Sequence, residues 1–340
     1  MLGVRARKKD AQKIKQYLAR QKLMANNYNL ISSDEFIYFP ITCADRGRSR
    51  DLPGLGTKVV NMDFEPVGEK SDYRKKLHAA LGKSYDSVAK GYELLGDVAL
   101  INASSKRIGK EMAKVIMEIN KNVKTVLSKG PVFGRYRVRK YSYVAGRRKY
   151  TALYKENGAS FNIDVRSTFF STRLGFERAR VCRLVKDGEN VMVMFAGIGP
   201  FAIEIGKAHR GCHVVGIELN RRAYKSMVEN IKLNKLDNVD AKLGDVSKEV
   251  ANYRNFADRI IMPLPKESHK FLESALLVSK KRCTVHYYAF GSKGSGFSEQ
   301  EDMLRSFFKG HGRRFKVLNR REVRPYSARE IEMGLDFQIY

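Results

Sequence analysis

Three short motifs, each closing an apolar run, carry the first chemical signal in this chain. Val191-Met192-Val193-Met194 runs straight into Phe195-Ala196-Gly197-Ile198-Gly199-Pro200, a buried strand opening onto a glycine-punctuated turn. Gly197 and Gly199 let the backbone turn tightly and bring its N–H groups against a ligand. The run from His213 ends in Glu218-Leu219, and an acid at the end of the second strand is where such folds hold a ribose diol. A third run leads to Gly244-Asp245-Val246, with the Asp placed to accept from an adenine amino group. Alone it would be an even choice between ligand and turn former; coupled to the other two motifs, the ligand role is favoured. The turn lacks the Gly-x-Gly-x-x-Gly of a dinucleotide site and the Gly-Lys-Ser/Thr of a triphosphate site. That combination favours S-adenosylmethionine over NAD or ATP, with Phe195, Ala196, Gly197, Gly199, Glu218, Leu219, Asp245 and Val246 as contacts. A glycine turn on an apolar hairpin is the weaker alternative.

A fourth run ends Met262-Pro263-Leu264-Pro265. In open α/β sheets the crevice lies at the carboxyl ends of the strands, so this loop should wall the reaction site. Its two prolines fix φ and remove N–H donors, leaving carbonyls and a rigid shape; a plain strand terminator is the competing reading. Upstream, Phe169-Phe170-Ser171-Thr172-Arg173-Leu174-Gly175-Phe176-Glu177-Arg178 combines aromatics, cations and one carboxylate. Glu177 fits either the cofactor mouth or a helix N-terminus, where the macrodipole favours an acid; the residues leave both open. Finally, Gly134-Arg135-Tyr136-Arg137-Val138-Arg139-Lys140-Tyr141 and Arg147-Arg148-Lys149-Tyr150 interleave cations with aromatic rings. That texture suits phosphate contact plus base stacking, with Arg135, Arg139, Lys140, Arg147 and Arg148 as RNA contacts.

The elements that position these residues are legible in outline. A basic helix over 9–22 carries Ile14, Tyr17 and Leu18 on one face, and strands follow at 28–32 and 36–41, a small α+β unit over 1–62. Residues 64–90 read as a connector or a weakly packed helix. A second α+β unit over 63–155 holds a strand at 94–101, a helix at 108–120 and a strand at 123–127. From 156 to 340 strand and helix alternate, which predicts an open, mostly parallel sheet. The fold class is therefore α/β, a Rossmann-like S-adenosylmethionine methyltransferase domain preceded by two small α+β domains.

The chain has 65 Lys and Arg against 36 Asp and Glu, a net charge of +29 over 340 residues. Thermophilic adaptation raises Glu together with Lys, and membrane adhesion wants a concentrated basic helix. Nucleic acid remains the expected partner. Cys43, Cys182, Cys212 and Cys283 lie far apart with no Cys-x-x-Cys pair, so they read as reduced thiols of a cytoplasmic protein and not as a zinc site. The charged N-terminus carries no signal core, and no apolar run reaches the ~18 residues of a membrane span. With no evident apolar patch, a monomer is expected.

Assembled in this order, the motifs resemble the archaeal and eukaryotic-type tRNA (guanine-37 N1) methyltransferase family over nearly the whole length. The resemblance rests on the N-terminal unit, Leu94-Leu95-Gly96-Asp97-Val98-Ala99, Val123-Lys124-Thr125-Val126-Leu127, Gly134-Arg135-Tyr136-Arg137 and Phe170-Ser171-Thr172-Arg173-Leu174. It continues through Glu177-Arg178, Met194-Phe195-Ala196-Gly197-Ile198-Gly199-Pro200-Phe201, Glu229-Asn230-Ile231-Lys232-Leu233-Asn234 and His286-Tyr287-Tyr288. It implies that the first domain reads the outer corner of tRNA while the other two grip the anticodon arm. It also implies Glu177 as general base, Arg137 as support for the guanine O6, Arg178 as a cofactor contact, and no metal.

Two positions depart from the family pattern. Val193 replaces an acid, which would weaken cofactor binding. Pro263 replaces the Asn of an Asn-Leu-Pro loop and resembles the archaeal subgroup that also methylates carbon 7 of a wyosine precursor. The rival readings are a wyosine-pathway aminocarboxypropyl transferase on the same scaffold, a catalytically inactive tRNA-binding protein, and a DNA or rRNA methyltransferase.

Overall fold

A computed structural model describes residues 2–21, 23–25, 28, 30–33, 35–42, 57–64, 73–134 and 138–340. The chain divides into two compact units, Met1–Ala79 and Ala80–Tyr340. In the first, β1 (Leu2–Arg7), α1 (Ala11–Arg20), β2 (Ile31–Ser32), β3 (Phe36–Pro40) and β4 (Lys58–Asn61) form an antiparallel sheet of order β2-β3-β1-β4 with one helix. The helix buries Ile14 and Leu18 in one cluster with Val4, Ala6 and Phe39, as its periodicity predicts. Within the expected connector, α2 (Tyr73–Leu81) is a helix with Leu77 buried.

The second unit opens with β5 (Tyr92–Leu95), β6 (Val98–Ile101), α3 (Lys106–Ile119), β7 (Thr125–Phe133) and β8 (Val138–Gly146), a sheet of order β5-β6-β7-β8. The single strand expected over 94–101 is instead two, folded back at Gly96-Asp97. Gly96 has φ +57°, and a Cβ there would stand 2.2 Å from the Leu153 carbonyl oxygen, so a turn takes the place of continuous strand. Helix α3 is capped by Ser105, whose side chain accepts from the Ile108 N–H. A further hairpin, β9 (Thr151–Glu156) and β10 (Ala159–Asp164), turns on Asn157-Gly158, both at positive φ. The sequence reading passed over it, although Asn-Gly between alternating runs is the ordinary signature of a two-residue hairpin.

The remaining elements are α4 (Gly175–Leu184), β11 (Asn190–Met194), α5 (Pro200–Ala208), β12 (His213–Glu218), α6 (Arg221–Leu233), β13 (Val239–Leu243), α7 (Val246–Glu249), β14 (Ala257–Met262), α8 (Leu272–Val278), β15 (Ser279–Ser292), α9 (Gly296–Gly310), β16 (Phe315–Pro325) and β17 (Glu330–Ile339). Seven of them make one sheet of order β13-β12-β11-β14-β15-β17-β16. The first five strands run parallel, and β17 and β16 close the sheet antiparallel. Successive side chains of β11 face opposite ways. Val191 and Val193 enter one core with Ile198, Phe201 and Tyr288, while Met192 and Met194 enter the other with Tyr287, Phe308 and Phe337. From β11 the chain winds to β12 and β13 on one side, then returns to β14 on the other. The carboxyl ends of β11 and β14 thus flank the point where strand order reverses, the place where open α/β sheets bind ligands.

Candidate active site

The glycine turn lies at that reversal. Phe195 leaves β11 at φ +58°, Gly197 has φ +61° and Gly199 φ +87°. A left-handed phenylalanine is strained, and an edge-to-face contact with Phe271, ring centroids 4.7 Å apart, holds its ring. No atom lies within 4 Å of where a Gly197 Cβ would stand, so this glycine opens a hollow in the backbone. Gly199 differs: its Cβ would meet Met227 Cγ at 2.8 Å. Pro200 then occupies the first position of α5, where its missing N–H is no loss.

Glu218 stands at the end of the neighbouring strand and holds the turn shut. Its Oε2 accepts the Gly197 N–H at 2.7 Å and its Oε1 the Asn220 N–H at 2.7 Å. Burial raises its pKa against the lowering effect of the backbone N–H bonds from Asn220, Gly197 and Leu219. Three N–H donors on about four lone-pair positions leave one position for a ligand hydroxyl. The Gly244 N–H donates to the Glu218 carbonyl at 3.1 Å, so the ends of β12 and β13 are tied together with Asp245 beside them. Asp245 Oδ1 accepts from Ser247 N–H and Oγ–H at 3.0 and 2.8 Å, capping α7, and Val246 is buried behind it. Asn220 caps α6 and donates to the Ser167 carbonyl at 3.1 Å. A glycine hollow, a strand-end acid with a spare lone pair and a second acid just past the next strand fit an adenosine-bearing ligand.

Opposite these, the Met262–Pro265 loop is stiffened from within. The Leu264 N–H donates to the Met262 carbonyl at 2.9 Å, and Ser268 Oγ lies 2.9 and 3.0 Å from the carbonyl oxygens of Met262 and Leu264. Pro263 stands half-buried at the carboxyl end of β14. An open cleft of about 490 Å³ adjoins the loop, lined among others by Pro265, Lys266, His269, Tyr287, Phe290 and Tyr326.

Glu177, in the first turn of α4, is almost fully buried. Arg180 Nε and Nη2 donate to its two oxygens at 3.0 and 2.7 Å, the Tyr288 hydroxyl donates to Oε1 at 2.7 Å, and Arg321 Nε stands 3.1 Å from Oε2. Tyr288 is one residue past Tyr287, the ladder partner of Met262, which puts Glu177 at the level of the Met262–Pro265 loop. Arg180 is itself clamped by Asp336 at 2.6 and 3.1 Å, and Asp336 Oδ1 lies 2.6 Å from His286 Nδ1. Arginine has no acceptor, so His286 Nε2 accepts from Arg259 at 2.8 Å and Nδ1 donates to Asp336; burial lowers the pKa of the ring in the same sense. Though burial opposes it, the hydrogen bond from His286 and the hydrogen bonds and charge of Arg180 hold the Asp336 carboxyl far below the usual carboxylate range. Of this network the sequence reading gave a chemical role only to Glu177, with His286 and Tyr288 quoted as part of a family motif. Arg180 was readable as its helical neighbour three residues on, whereas Asp336 and Arg321 reach it across the sheet.

Arg178, adjacent in sequence, faces elsewhere. Its guanidinium donates to Glu156 at 2.6 Å and to the Ser171 carbonyl at 3.0 Å, lies 3.4 Å from Glu204, and stacks 4.9 Å from the Phe170 ring centroid. Glu204 has one buried oxygen with no hydrogen bond. Arg135 and Arg137 lie outside the described residues. Arg139 Nη1 donates to the Gly130 carbonyl at 2.8 Å and braces the β7–β8 pair, while Lys140, Arg147 and Arg148 are exposed on β8 and just beyond it. Cys182, Cys212 and Cys283 are free thiols. Among the described residues no His, Cys, Asp or Glu group is arranged to hold a metal ion, and no helix is long and apolar enough to cross a membrane.

Comparison with known proteins agrees with this geometry. The TRM5/TYW2 methyltransferase domain matches residues 152–315, a TYW2 N-terminal domain residues 73–149, and a tRNA methyltransferase 5 N-terminal domain residues 3–47. The chain is 32% identical to the tRNA (guanine(37)-N(1))-methyltransferase Trm5b of Pyrococcus abyssi over 99% of both chains. It superposes on a solved complex of aTrm5 with tRNALeu with a TM-score of 0.71 at 28% identity, covering 100% of each chain. It also superposes on P. horikoshii TYW2 in complex with MeSAdo with a TM-score of 0.68 at 28% identity, covering 80% of this chain and 99% of that one.

Proposed function

The chain belongs to the TRM5/TYW2 methyltransferase family, and we propose that it methylates N1 of guanine-37 in tRNA with S-adenosylmethionine as donor. The observation that carries this reading is the meeting of Gly197, Glu218 and Asp245 at the strand-order reversal, with Glu177 at the level of the facing loop. Similarity that spans the whole chain, including the N-terminal domain, favours methyl transfer over aminocarboxypropyl transfer.

When bound, S-adenosylmethionine would supply an activated methyl on a sulfonium, a transfer that does not call for a metal. The work left to the protein is at the guanine. N1 carries a proton at neutral pH, and its electron pair attacks only as that proton leaves. Glu177 is assigned as the acceptor, fixed by Arg180 and Tyr288 so that one oxygen edge points in a constant direction. Charge that develops on O6 needs a cation, the role assigned to Arg137. Arg178 is assigned a supporting role in the cofactor domain through Glu156 and Glu204. Arg135, Arg139, Lys140, Arg147 and Arg148 are assigned to the RNA, and the base leaves its stack to reach the pocket. The three domains, 1–62, 63–155 and 156–340, divide tRNA recognition from chemistry, and the protein acts as a monomer.

The test is transfer of labelled methyl to unmodified tRNA transcripts, with nucleoside analysis, for wild type, Glu177→Ala and Arg137→Ala. 1-Methylguanosine at position 37, reduced at least ~100-fold in Glu177→Ala, supports the assignment; tight tRNA binding without product overturns it. Pro263 favours a second activity at carbon 7 of the wyosine precursor. Pro263→Asn should lose that activity and keep N1 methylation, and full carbon methylation by the variant would refute the role given to the loop.

A further inference from the structure

Glu177 is over-held for a group that must accept a proton. A carboxylate offers about four hydrogen-bonding positions; Arg180 and Tyr288 fill three by hydrogen bonds, and Arg321 Nε, 3.1 Å from Oε2, stands over the fourth. Before a substrate proton can land there, one partner has to leave.

The three partners differ in how easily they can go. Tyr288 is buried between β14 and β17, and the Arg180 side chain, 12% exposed, is clamped by Asp336, which is bonded in turn to His286. Arg321 comes from β16, an edge strand that pairs, among the described residues, with β17 alone. Its side chain is 31% exposed, and its Nε, though 3.1 Å from Glu177 Oε2, has no properly directed hydrogen bond. Its guanidinium lies 4.8 Å over the ring of Phe176, itself 62% exposed. Arg321 is therefore a cation parked on the carboxylate from the solvent side.

We propose that Arg321 is a removable cap on Glu177, exchanged on substrate binding from the carboxylate to a phosphate of the RNA backbone. A phosphodiester accepts a guanidinium through two parallel bonds, better geometry than the single misdirected contact it replaces. The exchange uncovers Oε2 only when RNA is present, so base activation and substrate docking become one event. Arg321 is a positioning residue in this scheme, and the inference rests on the reading of Glu177 as proton acceptor.

A carboxylate and a phosphate competing for one guanidinium are thermodynamically coupled. The experiment measures tRNA transcript affinity for the full chain with S-adenosylhomocysteine present, in wild type, Glu177→Gln, Arg321→Gln and the double variant, across a salt series. Glu177→Gln should tighten binding at least about fivefold, because nothing then holds Arg321 back. Arg321→Gln should weaken binding and lower the salt slope by about one. In the double variant the tightening should vanish. Arg321→Lys, which keeps the charge, should keep the slope and so separates a lost contact from a damaged fold. Equal tightening by Glu177→Gln in both backgrounds, or an unchanged slope in Arg321→Gln, overturns the exchange. Nucleoside analysis of Glu177→Gln is independent of this cycle: product at the wild-type rate would remove the base assignment and leave the cycle to decide the cap.

Discussion

Glu218 Oε2 accepts the N–H of Gly197 at 2.7 Å, so the acid ending one strand shapes the turn ending its neighbour. The same carboxylate receives the Asn220 N–H, which fixes the start of α6. Glu218 is therefore the clasp that shapes this turn, and the cofactor contact proposed for it would use the same carboxylate.

Glu218→Ala should separate those roles poorly because it removes both. The backbone N–H groups of Gly197, Leu219 and Asn220 lose their acceptor, each at about 1–3 kcal/mol if left unsatisfied. We expect a fall in melting temperature and at least ~10-fold weaker S-adenosylmethionine binding by calorimetry. Unchanged affinity would mean that the carboxylate is structural only.

The two turn glycines should fail differently. Gly197→Ala meets open space, so its cost is the left-handed backbone, roughly 1–2 kcal/mol, and its added methyl fills the hollow a cofactor would use. Gly199→Ala adds a collision with Met227. Thermal melts with and without cofactor should show the larger stability loss for Gly199→Ala and the larger loss of cofactor-induced stabilisation for Gly197→Ala. The reverse order would contradict the geometry.

Glu204 predicts a pH slope. Burial, reinforced by Glu156, pushes its pKa up to about 8 against the pull of Asn157 and Arg178. A carboxyl with a raised folded pKa holds its proton longer in the native state, so its stabilisation is complete below its ordinary pKa and declines as pH rises to about 8. The decline is about 1.4 kcal/mol per pH unit across that window. Glu204→Gln should flatten the dependence of melting temperature on pH between ~5 and ~8. The same slope in the variant would assign it to other groups.

On the β8 side, Arg147 and Arg148 are exposed and Arg148 lies 5.8 Å from the Tyr143 ring centroid. Removing both charges as Gln should lower the salt slope of tRNA binding by about two without moving the melting temperature by more than a degree or so. A large loss of stability instead would make them structural.

Much of this protein was legible in local patterns. Strand, glycine turn and helix at 191–208 and the acids at 218 and 245 rest on composition and spacing, which neighbouring residues decide. The basic excess is likewise a property of the chain and needs no fold to be read. The hairpin at Gly96-Asp97 was legible too, since Gly-Asp between two apolar runs signals a two-residue turn; only the Leu153 carbonyl packed against Gly96, more than fifty residues away, was not.

What the tertiary structure alone decided is the pairing of charges. Glu177 and Arg178 are neighbours in sequence, yet the helix turns them into separate buried networks, one reaching Asp336 and Arg321 across the sheet and the other Glu156 and Glu204. A buried charge keeps its ionisation only beside a partner, and which partner is near depends on strand order, a long-range outcome that spacing along the chain does not encode.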